Sequence, residues 1–126
     1  MNHVSLVHYT VAVVDDEPRV LQSIGNLLES AGATVRLYDS AQRLLEDPER
    51  SDIHCIISDI GLPGMDGYQL QKWALQNLPD AVVILITARN APQSAAICAN
   101  NRGFFQKPFD GQELLSAVSA ALHTRS

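Results

Sequence analysis

Short apolar runs alternate along this chain with stretches in which apolar residues recur every three or four positions. The clearest runs are Val11-Ala12-Val13-Val14, Cys55-Ile56-Ile57 and Val82-Val83-Ile84-Leu85-Ile86. Runs this short and this rich in Val and Ile predict strands buried on both faces. Strands are expected at about 11–15, 34–38, 54–58, 82–86 and 103–106. Between them, Leu21, Ile24, Leu27, Leu28 and Ala31 keep a helical period after Pro18, a favourable first helical residue, and Gly32 ends that helix. Ser40 is placed to cap a short helix carrying Leu44 and Leu45, which stops near Pro48. Further helices are expected at about 68–77, closed by Pro79, and within 92–99. A last helix opens with Asp110 and Glu113 and carries Leu114, Val118 and Ala121 on one face.

Five strand–helix alternations predict an α/β fold: a doubly wound parallel sheet with helices on both faces. Residues 1–10 read as a leader, 11–122 as one domain, and 123–126 as a tail, a candidate start of a linker. Parallel strands bring their C-terminal ends to one edge, where open α/β sheets bind ligands. Here those ends carry Asp15 and Asp16, Asp59, Thr87, and Lys107 followed by Pro108. Three carboxylates, a hydroxyl and an ammonium at one edge are hard to explain as packing.

Composition narrows the reading. The chain has 126 residues, a formal charge of −5 and a pI of about 5.1. That balance argues against gripping nucleic acid by charge. No apolar run approaches the ~20 residues that span a bilayer. Met1 to Thr10 lacks a basic start followed by an apolar stretch, so the cytoplasm is expected. Cys55 and Cys98 lack metal-ligand spacing and are expected as free thiols. The four histidines, His3, His8, His54 and His123, are scattered.

Neighbouring carboxylates repel, and a hard divalent cation relieves them. Asp15 and Asp16 therefore suggest Mg²⁺, although one of them could cap the first helix instead. Asp59 alone would be an ordinary turn residue. Beside a metal and Lys107 it can attack a phosphoryl group. Thr87 could be plain strand chemistry, but at the edge its hydroxyl can bond a phosphoryl oxygen. Lys107 fits an anion clamp.

The chain resembles receiver domains of two-component response regulators. The resemblance rests on Val-Val-Asp-Asp-Glu-Pro (13–18), Ser-Asp-Ile-Gly-Leu-Pro-Gly-Met-Asp-Gly (58–67), Ile-Thr-Ala (86–88) and Lys-Pro-Phe (107–109), in order. Leu-Glu-Ser-Ala-Gly (28–32) and Tyr-Asp-Ser-Ala (38–41) are similar to FixJ/NarL-like receivers in particular. The resemblance implies a five-stranded, flavodoxin-like receiver fold of order 2-1-3-4-5. It implies Asp59 as phosphoacceptor, and Asp15, Asp16, Asp59 and the Gly61 backbone carbonyl around Mg²⁺. It further implies Thr87 and Phe104 as switch residues, Lys107 as phosphate clamp, and a cis peptide before Pro108. Such a domain is a signalling phosphoacceptor rather than an enzyme. Its partners would be a histidine kinase or histidine phosphotransfer protein, and an output domain or partner through the helix 4–strand 5–helix 5 face. A phosphorylation-dependent homodimer is a further candidate, and neither nucleic acid nor membrane is an expected direct partner.

Two departures stand out. Asn100-Asn101 replaces the family's Gly-Ala before the last strand, and Asn tolerates left-handed backbone. The interval from Thr87 to Lys107 is short, so the helix near 92–99 is expected to be about two turns. A phosphatase or phosphotransferase with the same nucleophile usually needs a second acid nearby, where this chain has Gly61.

Overall fold

The computed structural model describes residues 5–87, 101–106 and 111–124. Its elements run β1 (Thr10–Val14), α1 (Pro18–Ser30), β2 (Thr34–Tyr38), α2 (Ala41–Glu46), a 3₁₀ turn (Arg50–Asp52), β3 (Cys55–Asp59), α3 (Gly67–Asn77), β4 (Val82–Thr87), β5 (Asn101–Gln106) and α4 (Gly111–Thr124). The strands are parallel and lie in the order β2-β1-β3-β4-β5. This is the doubly wound α/β fold expected from the apolar runs. The helix expected at 92–99, Lys107, Pro108 and the Asp110 cap lie outside the described residues.

The period-2 alternation of a strand sorts the core into two layers. Val11, Val13, Ile57, Ile84 and Ile86 face one side, against Leu21, Ile24 and Leu28 of α1 and Leu114 and Val118 of α4. Ala12, Val14, Ile56, Val83 and Leu85 face the other, against Leu44 of α2 and Leu70 and Ala74 of α3. Burying both faces is what makes these strands continuous apolar runs rather than alternating ones.

Helix ends follow local chemistry. Pro18 starts α1 with no side-chain cap, and Ser40 caps α2 by accepting from the Arg43 N–H at 3.2 Å. Asp66 and Gln69 form a reciprocal capping box on α3, each side chain accepting from the other's backbone N–H at 2.9 Å.

Three boundaries differ from the sequence reading. Leu6, in the stretch read as a leader, is fully buried in the α1/α4 layer, and its N–H donates to the Ala31 carbonyl at 2.7 Å. Val4-Ser5-Leu6-Val7 is too short a stretch to carry a period, so nothing in the pattern marks Leu6 as core. Helix α4 runs to Thr124, so His123, read as tail, is helical. Strand β3 includes Asp59, which pairs with Ile86 across β4.

Candidate functional site

Register sets the site. Val14 lies opposite Ser58, and Asp59 lies opposite Ile86. The residues leaving β1 and ending β3 therefore reach the same edge. There one carboxylate oxygen from each of Asp15, Asp16 and Asp59 lies within 4.8 Å of the others. Asp15 and Asp59 are buried and Asp16 is exposed, which leaves the cluster an open side.

Asp15 is held by the backbone around it. The Asp15 N–H donates to the Tyr38 carbonyl at 3.1 Å, extending the β1–β2 ladder by one residue. Asp15 Oδ1 accepts from the Glu17 N–H at 2.9 Å. So one acid does serve the start of α1, through an Asx turn before the helix rather than a cap on it.

The loop after Asp59 is pinned at both ends. The Ile60 N–H donates to the Ile86 carbonyl at 2.8 Å, and the Gly67 N–H donates to the Ile60 carbonyl at 2.9 Å. Leu62 is buried in the α2/α3 layer, and Gly64 supplies a positive φ of 76° at the turn. Two glycines here differ in role. A Cβ on Gly61 would sit 3.8 Å from Asp59 Oδ2, an ordinary contact, which places Gly61 beside the carboxylate. A Cβ on Gly67 would sit 2.7 Å from both the Asp59 carbonyl oxygen and Ile60 Cα. Only glycine lets α3 start that close to the strand end.

The donor set fits a divalent cation. Three carboxylates this close repel one another unless a cation lies between them. Oxygen-only ligands with an open side suit Mg²⁺, which keeps several waters. Thr87 ends β4, one residue past Ile86, and Phe104 lies opposite Leu85 on β5. Lys107 and Pro108 fall outside the described residues. The sequence reading did not single out Ser58. Its fully buried hydroxyl donates to the Asp59 carbonyl at 2.9 Å.

The family follows from comparison with known proteins. Residues 11–119 match the response regulator receiver domain. The chain belongs to the response regulator receiver family. It is 33% identical over 125 residues to the response regulator protein TodT of Pseudomonas putida, covering 97% of this chain and 55% of TodT. It is 31% identical over 114 residues to the transcriptional regulatory protein FixJ of Bradyrhizobium diazoefficiens, covering 89% of this chain and 56% of FixJ. Among solved structures, the BeF₃-activated receiver domain of DrrB superposes with a TM-score of 0.83 at 27% identity, covering 93% and 99% of the two chains. Response regulator StyR does so with a TM-score of 0.81 at 36% identity, covering 94% and 61%. The chain thus spans about half the length of the curated relatives it matches. Receiver domains are signalling modules rather than conventional enzymes. No helix among the described residues is long and apolar enough to cross a membrane.

Proposed function

We propose that this receiver accepts a phosphoryl group on Asp59 from a phosphohistidine of a histidine kinase or phosphotransfer protein. The observation that carries the proposal is the meeting of Asp15, Asp16 and Asp59 within 4.8 Å at the C-terminal edge of the sheet. An Asp59 carboxylate oxygen attacks phosphorus as the phosphorus–nitrogen bond breaks. The imidazole nitrogen keeps that electron pair and takes a proton from solvent. Water later attacks the acyl phosphate, returning Asp59 and inorganic phosphate.

Asp15, Asp16, Asp59 and the Gly61 carbonyl would hold Mg²⁺, which when bound neutralises charge on the phosphoryl oxygens. Lys107 supplies the second positive charge in this reading. Catalysis is mostly positioning of the carboxylate, the metal and the phosphoryl group. Thr87 then bonds a phosphoryl oxygen and Phe104 repacks with it. This shifts the population of the helix 4–strand 5–helix 5 face toward a state that a partner, an output domain or a second copy can bind. In this reading helix 4 is the helix expected at 92–99, which lies outside the described residues, and helix 5 is α4. The FixJ relative is a transcriptional regulatory protein, so an output in transcription is proposed for the whole protein, acting in the cytoplasm with residues 11–122 as its receiver.

The test is phosphorylation by acetyl phosphate with and without Mg²⁺, read by intact mass. One phosphoryl group should appear in wild type, depend on Mg²⁺, and be absent from Asp59→Asn. Undiminished labelling of Asp59→Asn would refute the assignment.

A further inference from the structure

We infer that Ser58 is a positioning residue for the phosphoacceptor, its hydroxyl fixing the Asp59–Ile60 peptide plane. The inference rests on Asp59 being the phosphoacceptor. Ser58 lies opposite Val14 on β1 and Leu85 on β4, and all three are fully buried. An apolar β-branched residue would be the usual occupant of such a strand position. A buried hydroxyl there is costly unless it is bonded. This one donates to the carbonyl of the next residue, Asp59, at 2.9 Å.

That carbonyl belongs to a peptide held on three sides. Ser58 Oγ donates to its oxygen, and its nitrogen end, the Ile60 N–H, donates to Ile86 at 2.8 Å. Gly67 approaches so closely that an added Cβ would touch the carbonyl oxygen at 2.7 Å. The orientation of this plane is the ψ angle of Asp59. It decides where Ile60 and Gly61 travel relative to the Asp59 carboxylate. A Cβ on Gly61 would lie 3.8 Å from Asp59 Oδ2, so a small rotation of the plane moves Gly61 against the attacking group. Reacting groups lose large factors in rate from displacements near an ångström. The Ser58 hydroxyl therefore acts on phosphorylation through geometry, without touching the phosphoryl group.

The experiment compares Ser58→Thr with Ser58→Val, which share a branched shape and differ in the hydroxyl. Acetyl phosphate with Mg²⁺ gives the phosphorylation rate. The ¹³C shift of the Asp59 carbonyl in the unphosphorylated protein reports the hydrogen bond. Ser58→Val should phosphorylate about tenfold more slowly with a displaced carbonyl shift, and Ser58→Thr should restore both. Equal rates in the two variants, or a slow Ser58→Val with an unmoved carbonyl shift, would overturn the inference. If the branched side chains impair folding, Ser58→Ala takes their place: it should be slow with a displaced shift, and a wild-type rate overturns the inference. Failure of wild type itself to label at Asp59 is a separate result, and it removes the phosphoacceptor reading together with this one.

Discussion

The Ile60 N–H donates to the Ile86 carbonyl at 2.8 Å, joining the residue after Asp59 to the residue before Thr87. Neither residue carries chemistry. Their bond continues the parallel β3–β4 ladder past Asp59, so the proposed phosphoacceptor and the end of β4 share one rigid unit. Movement of Thr87 toward a phosphoryl group would then be local to the strand end. The sheet beneath, with Ile57, Ile84 and Leu85 buried, has no room to follow.

Mg²⁺ should stabilise the wild type. At ten times its dissociation constant, a ligand that binds only the folded state adds about 1.4 kcal/mol. Asp16→Ala should fold normally, because Asp16 is exposed, and should lose most of this stabilisation. Thermal melts with and without Mg²⁺ decide it, and a wild type indifferent to Mg²⁺ on the order of millimolar, the range that few protein ligands imply, refutes the metal reading.

Gly67 and Gly61 should respond differently to alanine. Gly→Ala in a helix ordinarily gains about 0.5–1 kcal/mol. At Gly67 the new Cβ would lie 2.7 Å from backbone atoms of Asp59 and Ile60, which cannot rotate away. Overpacking of this kind costs about 1–3 kcal/mol, so the clash wins and Gly67→Ala should be destabilised. Among the described residues, Gly61→Ala meets only Asp59 Oδ2 at 3.8 Å, and it should stay near wild-type stability. Urea denaturation of both variants tests this, and a Gly67→Ala protein as stable as wild type contradicts the close approach.

Much of this arrangement was legible in the chain. The apolar runs revealed the sheet because burial on both faces leaves no alternation to read. Asp15, Asp16 and Asp59 could be brought together on paper because parallel strands share one edge. The Asp66–Gln69 capping box is readable in the sequence, and it starts α3 at Gly67, one residue before the Tyr68 that the apolar pattern predicts. Ser58 was invisible for a different reason. Its role depends on which carbonyl its hydroxyl reaches, and a serine in a strand carries no sign of that. Leu6, and the link from Tyr38 to Asp47, likewise exist only after the chain has folded back on itself.

That link yields a pH prediction. The Tyr38 hydroxyl donates to an Asp47 carboxylate oxygen, while Arg36 lies 4.0 Å from the same carboxylate and donates to the Glu49 carbonyl at 2.8 Å. Burial first, and the Asp47 hydrogen bond second, push the Tyr38 hydroxyl up to about 12. The Tyr38 bond first, and the Glu49 N–H second, hold Asp47 below its ordinary value. A group raised in the folded state stabilises fully below its unfolded pKa and loses that contribution as pH rises through the folded one. For Tyr38 the loss falls between about 10 and about 12. A group lowered in the folded state behaves in reverse, so the Asp47 contribution is present above its unfolded pKa and fades as pH falls through the folded one. The stability difference between wild type and Tyr38→Phe should therefore form a plateau near neutral pH. It should shrink on the alkaline side from about pH 10 upward, and on the acid side below about pH 4. Denaturant titrations of both proteins across this range measure it. Subtracting the variant cancels the other tyrosines, Tyr9 and Tyr68. A difference that stays flat from pH 10 to 12 would mean that Tyr38 ionises in the folded protein as freely as in the unfolded chain, and that its hydroxyl does not anchor α2 to the edge strand.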